Sequence, residues 1–182
     1  MSTVFAFTPP FTQLNTPYPA TAYLKGFLNT KQISCYQADL GLEVILKIYC
    51  KKGLIELFEH IKHTSLTDIS DNAIRIIGMQ QNYIDTIDDV VAFLQVKNPT
   101  YGHLISAMHL PIASRFDQLR TYLSKTFGTM ATQDQAKHLA TLYLEDLSDL
   151  IKETVDPHFG FSRYAERLGR SAHSFDELYT EL

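Results

Sequence analysis

Residues 3–8 read TVFAFT, a β-branched and aromatic run closed by Pro9-Pro10. That is the pattern of a short strand with a firm end. Behind Pro19, the residues Ala20, Tyr23, Leu24, Phe27 and Leu28 recur at i, i+3, i+4 spacing, which predicts a helix over 20–29 with one apolar face. Residues 33–38 (ISCYQA) read as a second strand, ending at Asp39. Strand, loop, helix and strand in this order make the first half of a doubly wound parallel sheet. The right-handed crossover rule places the two strands side by side.

Beyond Asp39 the period becomes helical. Residues 40–51 are amphipathic and stop at Gly53, and 54–63 put Leu54, Leu57, Phe58 and Ile61 in phase. A third helix fits 72–83. Thr86-Ile-Asp-Asp89 is a T-x-x-D start ahead of Val90, Val91, Phe93 and Leu94, with Asn98-Pro99 as the stop. Ser114-Arg-Phe-Asp117 repeats that signal ahead of Leu119, Tyr122 and Leu123, and Gly128 closes the segment. The longest helix is predicted over 133–154, with Ala136, Leu139, Ala140, Tyr143, Leu147, Leu150 and Ile151 as its apolar stripe and Pro157 and Gly160 beyond its end. Ser174-Phe-Asp-Glu177 is a capping box before Leu178.

The fold class expected is therefore mainly α, with a short N-terminal βαβ as an incomplete Rossmann-like start. Residues 1–45 hold that unit and 46–182 the helical region. Two strands are fewer than an ordinary sheet contains. We expect either completion of the sheet by residues outside this chain or a minimal pair covered by helices, and the capped helix at the end suggests a piece of something longer.

Composition narrows the function classes. The chain has 182 residues, 45% hydrophobic and 20% charged, with 11 Phe, 10 Tyr and no Trp, which suits a packed globular body. Its net charge is −4, from 16 basic and 20 acidic residues, which argues against nucleic acid as a partner. No stretch approaches the ~20 apolar residues of a membrane span, and no positive region precedes the first apolar run. The expected location is cytoplasmic, with Cys35 and Cys50 reduced.

Candidate chemistry is sparse. There is no GxxxxGK[ST], no GxGxxG, no G-x-S-x-G and no C-x₃-C-x₂-C. His60 and His63 share a helix face, as a solvated polar face does, and two ligands do not make a metal site. The acidic groups Asp85/Asp88/Asp89 and Glu145/Asp146/Asp149 read as a helix start and an exposed helix face. No catalytic residue and no metal ligand is assigned. The loop 9–19 (PPFTQLNTPYP) remains: it is stiffened by four prolines and follows a strand end, where open α/β sheets bind ligands. Thr8, Pro9, Pro10, Gln13, Asn15 and Thr16 are the cofactor-binding candidates. The plain alternative is a rigid crossover whose polar groups cap the next helix.

At this loop the chain resembles the opening of bacterial B12-binding radical-SAM proteins. The resemblance rests on Pro9-Pro10, the stretch 17–19, Tyr23-Leu24 with Phe27-Leu28, and Asp39, and covers about residues 3–45. The runs AKHLATLYLEDLSDLI and FGFSRYAERLGRS look similar to the helical insert of one branch of that group. The resemblance implies a partial cobalamin-binding-like unit in an N-terminal accessory fragment, not catalytic alone. It further implies cobalamin, S-adenosylmethionine and a 4Fe–4S cluster for the parent protein, with none expected in this fragment. Asp156-Pro-His158-Phe-Gly160 approaches the D-x-H-x-x-G signature that offers an axial His to cobalamin. Its glycine comes one residue early, and the segment reads as a helix-terminating turn. The partner expected is the remainder of the parent chain. A non-catalytic helical interaction module, self-associating as a homodimer, is the other reading.

Overall fold

The computed structural model describes residues 3–9, 18–64, 69–107, 110–111 and 132–160. Two compact units divide them near Leu46 and Lys47. The predicted segments at 114–128 and 174–182 lie outside the described residues. The fold is mainly helical and begins with a short parallel βαβ.

In the N-terminal unit, β1 (Thr3–Thr8) pairs in parallel with β2 (Ser34–Asp39), from Thr3 beside Ser34 to Thr8 beside Asp39. Alternation then sorts the side chains. Thr3, Phe5, Phe7, Ser34, Tyr36 and Ala38 share one face. Val4, Ala6, Thr8, Cys35, Gln37 and Asp39 share the other. The connecting helix α1 (Ala20–Thr30) lies against both strands, and the two buried strand residues, Thr8 and Cys35, are on the second face.

The apolar face expected of α1 does not point inward. Thr21, Lys25 and Leu28 are its half-buried positions, whereas Tyr23, Leu24 and Phe27 are 76%, 54% and 60% exposed. The two strands among the described residues cover too little of a helix to bury a full stripe. The helix ends without glycine. The amide of Ile33 bonds the Leu28 carbonyl and that of Gln32 the Asn29 carbonyl, with Gln32 at φ 58° in the left-handed region.

The helix α2 (Leu40–Ile48) follows, and α3 (Lys51–His63) opens the second unit. Gly53 is not a stop: it lies in the first turn of α3, where the chain bends sharply against the end of α2. The Cys50 thiol caps α3, accepting from the Gly53 amide at 3.4 Å. Leu54, Leu57, Phe58 and Ile61 are buried as the spacing predicts.

The predicted helix over 72–83 divides into α4 (Asp71–Gly78) and the start of α5 (Gln80–Leu94). Thr86 therefore sits within α5, not at a helix start. Its hydroxyl donates to the Asn82 carbonyl at 2.7 Å, the back-bonding available to a mid-helix threonine. The end of α5 precedes Asn98-Pro99: Lys97 bonds the Ala92 carbonyl while Val96 holds φ 61°. A short α6 (Tyr101–Ser106) leads on, and α7 (Thr132–Thr154) packs against α4, α5 and α6. Every member of the predicted α7 stripe is buried.

Polar groups inside this unit are spent on packing. Tyr83 and Tyr143 stack with ring centroids 4.9 Å apart, and the Tyr143 hydroxyl donates to the Tyr83 carbonyl at 2.9 Å. The Tyr83 hydroxyl donates to Asp146 at 3.2 Å. Asp146 is thus 1% exposed, and the acidic group around it is not the exposed face expected from sequence. Glu153 of α7 reaches Ser70, accepting from its amide at 2.9 Å and its hydroxyl at 2.8 Å at the start of α4.

Burial pushes the Tyr49 phenol far above its ordinary value, against an opposing Ser148 hydrogen bond, and does the same to Tyr143 against Thr86. In the unfolded chain such phenols ionise near pH 10. Above that pH the folded state binds more protons than the unfolded one, so this contribution is complete below about pH 10 and is lost as pH rises further. In an alkaline titration followed by tyrosinate absorbance, we expect Tyr49 and Tyr143 to ionise only together with the loss of helix. Ionisation of all ten tyrosines before any loss of helix would contradict this.

Candidate ligand edge at the strand ends

The parallel ladder brings Thr8 and Asp39 level at the carboxyl end of the strand pair. Pro9 follows at once, is exposed, and cannot extend β1 by donating a ladder hydrogen bond. Thr8 itself is buried. Of the sequence candidates, Thr8 and Pro9 are thus placed at this edge, while Pro10, Gln13, Asn15 and Thr16 lie outside the described residues.

Asp39 was not among those candidates, yet it occupies the position best suited to a polar role. Its carboxylate accepts from the Leu42 amide at 3.0 Å, capping α2 and meeting the positive end of that helix. The sequence signal was present: an acidic residue immediately before a helical run. Together Thr8 and Asp39 offer a hydroxyl and a carboxylate at one sheet edge. That pair can orient a ligand by hydrogen bonds.

The other candidates resolve into structural roles. His60 and His63 are exposed on α3, and their acidic neighbours pair with lysines: Glu59 with Lys62 at 2.6 Å and Glu56 with Lys52 at 3.7 Å. The Lys62 hydrogen bond and charge lower the Glu59 carboxyl below its usual range. The Asp85/Asp88 group serves α3 instead of starting a helix of its own. Asp88 accepts from the Lys51 amide at 2.8 Å, at the first residue of α3, and Asp85 pairs with the Lys51 ammonium at 3.3 Å. Hydrogen bonds from Gln81 and then Lys51 lower the Asp85 carboxyl.

Asp156 forms the turn that ends α7, accepting from the His158 amide at 2.9 Å through its side chain and from the Phe159 amide at 2.9 Å through its carbonyl. Among the described residues, no three His, Cys, Asp or Glu side chains gather in a way that could hold a metal ion. Among them, too, no helix is long and apolar enough to cross a membrane. No family model matches the chain, and neither the curated proteins nor the solved structures provide a match.

Proposed function

We infer that this chain is a non-catalytic accessory region whose strand–helix–strand unit forms one edge of a cofactor-binding α/β layer. One observation carries the reading. β1 is a six-residue strand without charge or proline, and among the described residues it is paired on one side only. Edge strands of stable sheets are ordinarily guarded by charge, proline or a bulge. A bare strand of this kind suits an interior position, with a further strand beside it. Its carboxyl end, at Thr8 and Pro9, would then border the crevice where such layers take ligands.

The resemblance to bacterial B12-binding radical-SAM proteins supports cobalamin as the cofactor class. It also supports a parent enzyme with S-adenosylmethionine and a 4Fe–4S cluster, catalysing radical methyl transfer or rearrangement in the cytoplasm. Free Cys35 and Cys50 suit that reducing compartment. The residues present fit only a border of such a site. Thr8 and Asp39 can hydrogen-bond a ligand, but the described part of this unit contains no histidine to act as an axial ligand. No chemical step is assigned to them.

A second reading, a helical interaction module, is favoured by the outward stripe of Ala20, Tyr23, Leu24 and Phe27 on α1. Exposed apolar stripes of this kind mark partner surfaces. The accessory reading is tested by addition of hydroxocobalamin to the 182-residue chain. No change in its visible spectrum is expected, because most of the layer is supplied from elsewhere. A stoichiometric shift would make this chain a complete binding domain and overturn the accessory reading.

A further inference from the structure

Register and alternation put Thr8 and Asp39 side by side on one face, on neighbouring strands about 4.8 Å apart. Thr8 is 6% exposed, and no hydrogen bond reaches its hydroxyl among the described residues. Buried hydroxyls are ordinarily paired, so an open one at a sheet edge calls for a partner. Asp39 is exposed, and one carboxylate oxygen, Oδ1, accepts from the Leu42 amide at 3.0 Å. That bond fixes the carboxylate and leaves Oδ2 without a partner among the described residues.

The chemistry of the pair limits what can meet it. A carboxylate accepts hydrogen bonds and donates none, whereas a threonine hydroxyl does both. Donors are scarce at this edge, since Pro9 has no N–H and the Leu42 amide is already taken by Asp39. A phosphate would therefore find few donors and would face the charge of Asp39 at close range. A full cation is not called for either, because the carboxylate lies at the positive end of α2, which offsets part of its charge. The group that fits is neutral and carries two donors close together. The vicinal hydroxyls of a sugar and the NH2 of a carboxamide both do so.

We propose that Thr8 and Asp39 bind an uncharged, hydrogen-bond-donating part of the ligand, a sugar diol or a carboxamide, and turn phosphate away. The proposal rests on the reading of this edge as a ligand border, and the two fail separately. Hydroxocobalamin tests whether the layer is completed elsewhere, whereas small probes test what this pair accepts.

The Leu42 amide reports on the pair, because it donates to Asp39. Amide NMR spectra of the full chain are followed during titration with adenosine and with acetamide, the two neutral sources. 2′-Deoxyadenosine, inorganic phosphate and ethylammonium serve as comparisons. Adenosine or acetamide is expected to move the Leu42 resonance with millimolar affinity, and loss of the effect with 2′-deoxyadenosine assigns the sugar diol. Asp39→Asn keeps the helix cap, since asparagine caps as well as aspartate, yet should weaken that binding about ten-fold. Thr8→Val keeps the branched shape and should weaken it about three-fold. Amides of α5 and α7 are expected to stay in place in every titration. No movement of Leu42 with either neutral probe overturns the proposal. Movement with phosphate or ethylammonium alone does the same, as does binding that Asp39→Asn leaves unchanged. An equal response to adenosine and 2′-deoxyadenosine, with none to acetamide, also overturns it.

Discussion

Tyr143→Ala is expected to lower the unfolding free energy by about 3–5 kcal/mol, the range for removing a large buried ring. The side chain is 0% exposed and stacks on Tyr83, and its hydroxyl donates to the Tyr83 carbonyl while lying 3.0 Å from the Thr86 hydroxyl. Truncation therefore opens a cavity and removes the donor to a buried carbonyl between α5 and α7. Tyr143→Phe keeps the ring and should cost only about 1 kcal/mol, the net worth of an ordinary hydrogen bond. Denaturant unfolding of the two variants checks both magnitudes. Equal losses would mean that the hydroxyl, not the ring, holds the helices together.

Gly53→Ala is expected to destabilise the fold by about 3 kcal/mol, the upper end of overpacking costs. A glycine within a helix ordinarily gains about 0.5–1 kcal/mol on replacement by alanine, so the two expectations differ in sign. The geometry decides. A Cβ on Gly53 would overlap the carbonyl oxygens of Lys47 and Ile48, both backbone atoms that cannot turn away. Gly26 in α1 is the control: nothing lies within 4 Å of its Cβ position, and Gly26→Ala should stabilise. Thermal unfolding of both variants measures the difference. Stabilisation by Gly53→Ala would show that the α2–α3 bend opens without cost.

These cases mark where sequence was readable. The stripes of α3 and α7 were legible because every turn repeats the same periodic constraint, and burial of Leu54, Leu57, Phe58 and Ile61 and of the α7 stripe follows directly. The parallel pairing of β1 and β2 followed from the order strand, helix, strand and from the fixed hand of the crossover. Boundaries were less legible. Gly53 and Thr86 have two local meanings each, and tertiary partners chose the less common one. The ends of α1 and α5 use Gln32 and Val96 in left-handed backbone, where sequence rules expect glycine.

The candidate site was legible in part. Thr8 and Pro9 were read from a strand end followed by proline. Asp39 was missed because helix capping and ligand contact call for the same residue type at the same place. The burial of Asp146 could not be foreseen from its acidic surroundings, since it depends on Tyr83, 63 positions away. The outward apolar face of α1 was invisible for a related reason: periodicity shows that a stripe exists, not what covers it.

The central claim is that this strand–helix–strand unit borders a cofactor layer completed elsewhere. It is tested most directly by extending the hydroxocobalamin titration to the chain carrying its downstream coding sequence, beside the 182-residue chain. The account predicts stoichiometric binding by the longer chain and no spectral change in the shorter one. A longer chain that leaves the cobalamin spectrum unchanged would contradict it.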